Sequence, residues 1–180
     1  MEENQDPATL VDQGRAAYRR GEFSEALSYL DRALEQFRAH GNREQEAETS
    51  NDIGVIYTGL REWTQAEKWL TEAHRRFVEL QDYDGEAQTL GNLGSMFRAR
   101  GDLKQAAANL QMAASRFRLI GDEERRAATL RVLSIVRLSQ FRFLQALAAY
   151  EAALACLPHP TTIQRFLRKL FALPLRLLQR

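Results

Sequence analysis

Residues 90–113 read LGNLGSMFRARGDLKQAAANLQMA, and their spacing decides the architecture. Leu90, Leu93, Gly94 and Phe97 fall three or four positions apart, the period of one helix face. After the break at Gly101-Asp102 the same period resumes in Leu103, Ala106, Leu110 and Ala113. Two such runs around a Gly-Asp break predict an antiparallel helix pair. Gly94, Ala106 and Ala113 leave room for a neighbouring helix, and Phe97 and Leu110 fill the remaining volume.

Shifting the chain by forty positions superimposes the same pattern on the rest of it. The first-helix column is Gly14, Gly54, Gly94 and Ser134. The second-helix columns are Phe23, Trp63, Leu103 and Phe143; Ala26, Ala66, Ala106 and Ala146; Leu30, Leu70, Leu110 and Tyr150. They continue with Ala33, Ala73, Ala113 and Ala153, and end with Phe37, Phe77, Phe117 and Leu157. Breaks at Gly21 and Gly101 separate the helices of a pair, breaks at Gly41-Asn42 and Gly121 separate pairs, and Asp6-Pro7 reads as an N-cap followed by first-turn proline. The units span about 8–47, 48–87, 88–127 and 128–157, after an acidic lead-in at 1–7. One pair cannot bury such a face, so the pairs must stack into a solenoid. The fourth unit departs from the pattern: Ser134 stands for glycine, Arg137 for the aromatic seen at Tyr57 and Phe97, and Phe141 for the inter-helix glycine.

The ladder Leu93-Gly94, Phe97, Gly101-Asp102, Ala106, Leu110 and Ala113 resembles a tetratricopeptide repeat (TPR). Its spacing exceeds the family's usual period of about 34 residues and is similar to the extended-helix subclass of cell-polarity scaffolds and bacterial regulatory proteins. The resemblance covers residues 8 to 157. It implies an all-α fold: an α-solenoid of four TPR-like antiparallel helix pairs closed by a C-terminal capping helix. It also implies a non-enzymatic adaptor or scaffold that binds a partner peptide or helix in a concave groove lined by the first helices. Carried over residue by residue, the groove is lined by Asp12, Arg15, Arg19, Asn51, Asp52, Val55, Asn92, Ser95, Arg98, Arg131 and Ile135, with Asp12, Asp52, Asn92 and Val132 as one forty-residue column. Asn92 falls in the Gly-Asn-Leu-Gly motif of the extended subclass, and an asparagine offers a donor and an acceptor to a partner backbone. Asn51 and Asn92 equally suit bonds that order the stack. The clamp by which related domains grip chaperone C-terminal carboxylates needs two lysines, an arginine and two asparagines. Val11, Arg15, Asp52, Gln88 and Asn92 stand at those places, which argues against such a clamp.

The composition bounds the rest. With 180 residues, 44% hydrophobic and 27% charged, 10 Gly and 4 Pro, the chain reads as one globular domain, which sets aside collagenous, low-complexity and disordered classes. Its net charge of +1 hides an asymmetry: residues 1–90 sum to −9 and residues 91–180 to +10. A solenoid would carry those charges to opposite ends, so the sequence predicts steering of the basic end toward an acidic partner or membrane, or weak end-to-end self-association. RNA is disfavoured for want of an aromatic stacking row. Cys156 is the only cysteine, which excludes an intrachain disulfide and predicts a cytoplasmic protein, peripheral at the inner face of a membrane if the basic end docks there. The acidic start reads as no targeting leader, and the most apolar window, Phe141 to Leu157, is too polar to span a bilayer.

The residues of catalysis are sparse. His40, His74 and His159 show no ligand spacing, there is no Cys-x-x-Cys, and the glycines follow packing columns, not a phosphate-binding loop. Asp82, Asp84 and Asp122-Glu123-Glu124 open helices, where carboxylates offset the macrodipole. Cys156 reads as a structural thiol with no base placed near it by the repeat. No enzyme activity, metal, cofactor or small-molecule substrate is expected.

After Pro158-His159-Pro160, residues 161–180 read as a basic amphipathic helix. Ile163, Phe166, Leu167, Leu170, Leu173 and Leu177 form its stripe, and Arg165, Arg168, Lys169, Arg176 and Arg180 lie largely outside it. It reads as the solvating cap of the solenoid, or as a contact with a partner or anionic membrane through Arg165, Phe166, Arg168, Lys169, Phe171 and Arg176. In the second case the chain would be a peripheral membrane assembly factor.

Overall fold

The computed structural model describes residues 5–156 and 161–162, and among them it holds only helices and the turns between them. In chain order these are α1 (Pro7–Arg20), α2 (Phe23–His40), α3 (Arg43–Gly59), α4 (Trp63–Leu80), α5 (Tyr83–Arg100), α6 (Leu103–Leu119), α7 (Glu123–Ser139) and α8 (Phe143–Ala155). Of the capping helix expected at 161–180 only Thr161 and Thr162 fall among the described residues, and Leu157 lies outside them. The chain divides into two compact units, Met1–Gly85 and Glu86–Arg180.

The first unit holds the hairpins α1–α2 and α3–α4. Its core joins Leu10, Val11 and Ala17 to Ala26, Leu30, Ala33, Leu34 and Phe37, and to Ile53 and Ile56 of α3. Tyr57 and Trp69 pack on its edge, and Ala47, Ala73 and Phe77 form a second cluster. The second unit buries Leu90, Leu93, Met96 and Phe97 of α5, Ala106, Leu110, Ala113 and Phe117 of α6, and Leu130, Leu133 and Val136 of α7. The forty-residue columns read from the sequence are thus mostly core.

Close helix approach explains the glycine column. A Cβ on Gly14 would lie 2.8 Å from Cγ of Leu30, one on Gly54 2.7 Å from Cγ of Leu70, and one on Gly94 2.6 Å from Cγ of Leu110. No real Cβ tolerates such distances, so glycine and leucine are complementary halves of one contact. In the fourth hairpin Ser134 solves the same position differently: its hydroxyl donates to the Ala146 carbonyl at 2.9 Å. Ala146 is the counterpart of Ala26, whose carbonyl a Gly14 Cβ would meet at 3.3 Å. Helix α7 is regular from Glu123 to Ser139 despite its departures from the pattern. Phe143, read as a member of an inward column, is 61% exposed. Its counterpart Phe23 lies against Tyr18 and against Gly59 of the following hairpin, and Phe143 has no described hairpin after it.

The turns repeat every twenty residues. At each helix end from α1 to α7 the second or third residue beyond the helix bonds back to a carbonyl five positions earlier: Glu22 to Ala17, Asn42 to Phe37, Glu62 to Tyr57, Asp82 to Phe77, Asp102 to Phe97, Asp122 to Phe117 and Arg142 to Arg137, at 2.9–3.0 Å. This closure requires a left-handed residue just before it. Gly21 and Gly101 supply it at φ 81° and 93°, as do Gly41 and Gly121, but Arg61, Gln81 and Phe141 adopt the same conformation without being glycine. Of the acidic residues read as helix starters, Asp122 caps by accepting from Arg125 N at 2.8 Å and Asp82 from Asp84 N and Gly85 N at 3.0 Å, and Asp102 caps α6 likewise through Gln105 N at 3.1 Å. Asp6 caps α1 through Thr9 N, with Pro7 in the first turn as its fixed φ favours.

Candidate functional site

In the first unit α1 presents Asp12, Arg15 and Arg19, and α3 presents Asn51, Asp52 and Val55. Arg15 Nε donates to Asp52 Oδ2 at 2.6 Å, and its Nη2 lies 3.9 Å from Glu48 Oε2. The Arg15 and Asp52 side chains are 43% and 20% exposed, so the pair sits at the rim of the surface, not in bulk water. Burial pushes the Asp52 carboxyl above its ordinary range, against the pull of Arg15 and hydrogen bonds from Arg15 and Asn51. Burial also raises Glu48, again opposed by Arg15. Arg15 itself is raised: burial works against its charge, but Asp52, Glu48 and Asp12 together outweigh that effect.

Beside this pair lies a small cleft of about 70 Å³, lined by Gly14, Tyr18, Leu30, Val55 and Ile56 as well as Arg15 and Asp52. Asp12 and Arg19 are exposed on α1, whereas Asn51 is buried and hydrogen-bonded to Asp52. Asn51 can therefore act on a ligand only through Asp52. The structure joins Arg15, Asn51 and Asp52 into one cluster and adds Glu48, which the sequence reading did not single out. Glu48 is one helical turn before Asp52, and that i,i+4 spacing was the available signal.

In the second unit Asn92 is half-buried on α5, and Ser95 and Arg98 are exposed on the same helix. The Ser95 hydroxyl donates to the Gly91 carbonyl at 3.0 Å, leaving its oxygen free to accept. On α7 Arg131 and Ile135 are exposed and Val132 is half-buried. Arg165, Phe166, Arg168, Lys169, Phe171 and Arg176 lie outside the described residues.

Two buried ion pairs also keep the forty-residue register and were missed in the sequence. Arg76 Nη1 lies 2.6 Å from Oε1 of Glu46, and Arg116 Nε lies 2.8 Å from Oε1 of Glu86. The two glutamates are 8% and 5% exposed. Each pair ties the start of a first helix to the end of its partner helix, and Arg38 of α2 also reaches Glu46 at 2.9 Å. The fourth hairpin breaks the column: Arg126 replaces the glutamate and pairs with Glu123 at 2.9 Å, and Cys156 replaces the arginine. The Cys156 thiol donates to the Ala152 carbonyl at 3.1 Å, and burial followed by the Glu123 hydrogen bond pushes its pKa up to about 11. The repeat does place a carboxylate near this thiol, contrary to the sequence reading. It holds the thiol protonated, the opposite of nucleophile activation.

Among the described residues no group of three or more His, Cys, Asp or Glu is arranged to hold a metal ion. No helix among them is long and apolar enough to cross a membrane.

Helical hairpins in forty-residue register, closed by glycine–leucine contacts, define a helical repeat protein. The chain belongs to the tetratricopeptide repeat family: the family's sequence model matches residues 5–77 and 85–158. Repeats of this family are generally protein–protein interaction scaffolds, and its members are generally non-enzymatic adaptors. No curated protein matches by sequence. Among solved structures the chain is similar to BtubC (BKLC) from P. vanneervenii, at 21% identity and a TM-score of 0.76 over 89% of this chain and 70% of that one. It is also similar to the nearly identical TPR-like repeats of a candidate kinesin light chain from Podosopora anserina, at 14% identity and 0.72 over 86% and 76%. At these identities the likeness is one of fold.

Proposed function

We propose that the chain is a non-enzymatic adaptor that docks a partner peptide or helix on its first-helix faces. In the first unit the contact uses Arg15, Asp52 and Glu48 with the cleft at Val55; in the second it uses Asn92, Ser95, Arg98 and Arg131. The observation that carries this reading is the Arg15–Asp52 pair at 2.6 Å beside an apolar cleft. The pair supplies a donor fork and an acceptor at fixed positions, and the cleft supplies a seat for one small apolar side chain. Asp12 and Arg19 flank the pair as rim charges, which tune association rate more than affinity.

Site-specific photo-crosslinking tests it. A crosslinking residue at position 55 or 95 should capture the same partner, and one at position 104 on α6 should not. A partner captured equally or only from position 104 would refute the assignment of the docking face.

A further inference from the structure

The tip of the α7–α8 hairpin combines two departures that no other turn combines. The left-handed position is glycine at 21, 41, 101 and 121, a long polar residue at Arg61 and Gln81, and an aromatic one only at Phe141, with φ 59°. The next position is Glu22, Asn42, Glu62, Asp82, Asp102 and Asp122 in turn, and then Arg142. Phe141 gives up the residue that suits the backbone, and Arg142 puts a cation at the N-terminus of α8, where the helix dipole favours an anion. Arg142 makes no side-chain capping bond. Neither change helps the fold, and the aromatic and the cation together raise the question of what the tip gains by them.

What the tip gains is surface chemistry. Phe141 is 81% exposed and Phe143 61%, their rings in edge contact at 6.4 Å, with Leu138 and Leu144 about half exposed beside them. Arg137, bonded to Gln145 Oε1 at 2.5 Å, and Arg142 flank these side chains, and Glu151 is the one acid from residue 125 to the end of the sequence. The aromatics stand at a tight turn with most of their surface in solvent. An exposed aromatic and aliphatic tip flanked by two cations suits the negatively charged boundary of a lipid layer, where rings sit at headgroup depth and arginines meet phosphates.

We propose that Phe141, Arg142, Phe143 and Leu144 form a contact with an anionic lipid surface, the rings entering the headgroup–acyl boundary while Arg137 and Arg142 meet lipid phosphates. This site is separate from the first-helix docking face and stands or falls independently of it.

The test is flotation of the full chain with vesicles of phosphatidylcholine containing one quarter phosphatidylglycerol, against phosphatidylcholine alone. The double variant Phe141→Gly/Arg142→Asp restores the turn chemistry of the other hairpins. It should melt at or above the parent temperature yet lose binding to the anionic vesicles by about tenfold or more. Phe143→Ser should weaken binding in the same direction. Failure of the parent chain to float with anionic vesicles would overturn the proposal, as would unchanged binding by the double variant. So would binding that survives the tip changes but is lost in Arg165→Gln/Arg168→Gln/Lys169→Gln, which would assign the contact to the basic C-terminal stretch. If the tip changes abolished a dimer seen by light scattering and left vesicle binding intact, the tip would belong to a second copy of the chain and the proposal would fail.

Discussion

Arg76 sets its guanidinium 2.6 Å from the buried carboxylate of Glu46, tying the end of α4 to the start of α3. A carboxylate at 8% exposure is tolerable only with its cation in place. The Glu86–Arg116 pair repeats the device in the second unit. Arg116→Met should therefore cost about 3 kcal/mol, and Glu86→Leu/Arg116→Met should recover most of it. Urea unfolding of the full chain, followed by circular dichroism, measures both.

The glycine–leucine contact makes an opposite pair of expectations for two small residues. Gly94→Ala forces a Cβ to within 2.6 Å of Leu110 Cγ and 3.3 Å of its backbone nitrogen, so it should destabilise by about 1–3 kcal/mol even though alanine is the better helix former. Ser134→Ala loses only the bond to the Ala146 carbonyl, worth about 1 kcal/mol. Thermal melting should rank Gly94→Ala below Ser134→Ala.

Asp52 makes stability depend on pH in an unusual direction. Its folded pKa lies above the unfolded one, so the folded state holds the proton more tightly. Stability from this group is present below the ordinary carboxylate range and is lost as pH rises through it and through the raised folded value. Asp52→Asn should thus gain on the parent chain as pH rises through the ordinary carboxylate range and beyond it. Arg15→Ala, which leaves the half-buried carboxylate without its cation, should lose about 1 kcal/mol at neutral pH. Melting curves across that range decide both, and a parent chain that gained on Asp52→Asn with rising pH would refute the reading.

Cys156 should be slow to react. With its pKa near 11, the thiolate fraction at about pH 8 is on the order of a hundredfold below that of a free cysteine. Its reaction with a disulfide reagent should rise toward that pKa, and Glu123→Gln should move the inflection down.

The repeat was legible because packing writes itself in residue size: Gly14, Gly54 and Gly94 against Leu30, Leu70 and Leu110 leave no other reading. The turns were half legible. Gly21 and Gly101 announce a left-handed residue, but Arg61, Gln81 and Phe141 adopt it because helix length and the closing bond impose it, and only the twenty-residue spacing betrays them. The buried pairs were missed because a lone Glu46 or Arg76 reads as a solvated surface charge, and burial is a property of the assembled hairpin. At the candidate site Arg15 and Asp52 were named from the register, but their direct bond joins positions 37 residues apart, which spacing alone does not announce.

Within each unit the helices touch chiefly their neighbours along the chain, α1 with α2, α2 with α3 and α3 with α4 in the first, α6 with α7 and α7 with α8 in the second. Little of the polypeptide must be looped out before a contact is rewarded, so the entropy of closure is small at every step. Such local contact favours fast folding of each hairpin, and a hairpin emerging during synthesis can form before its successor exists. The period that lets a handful of columns define the fold also makes its assembly a local, stepwise event.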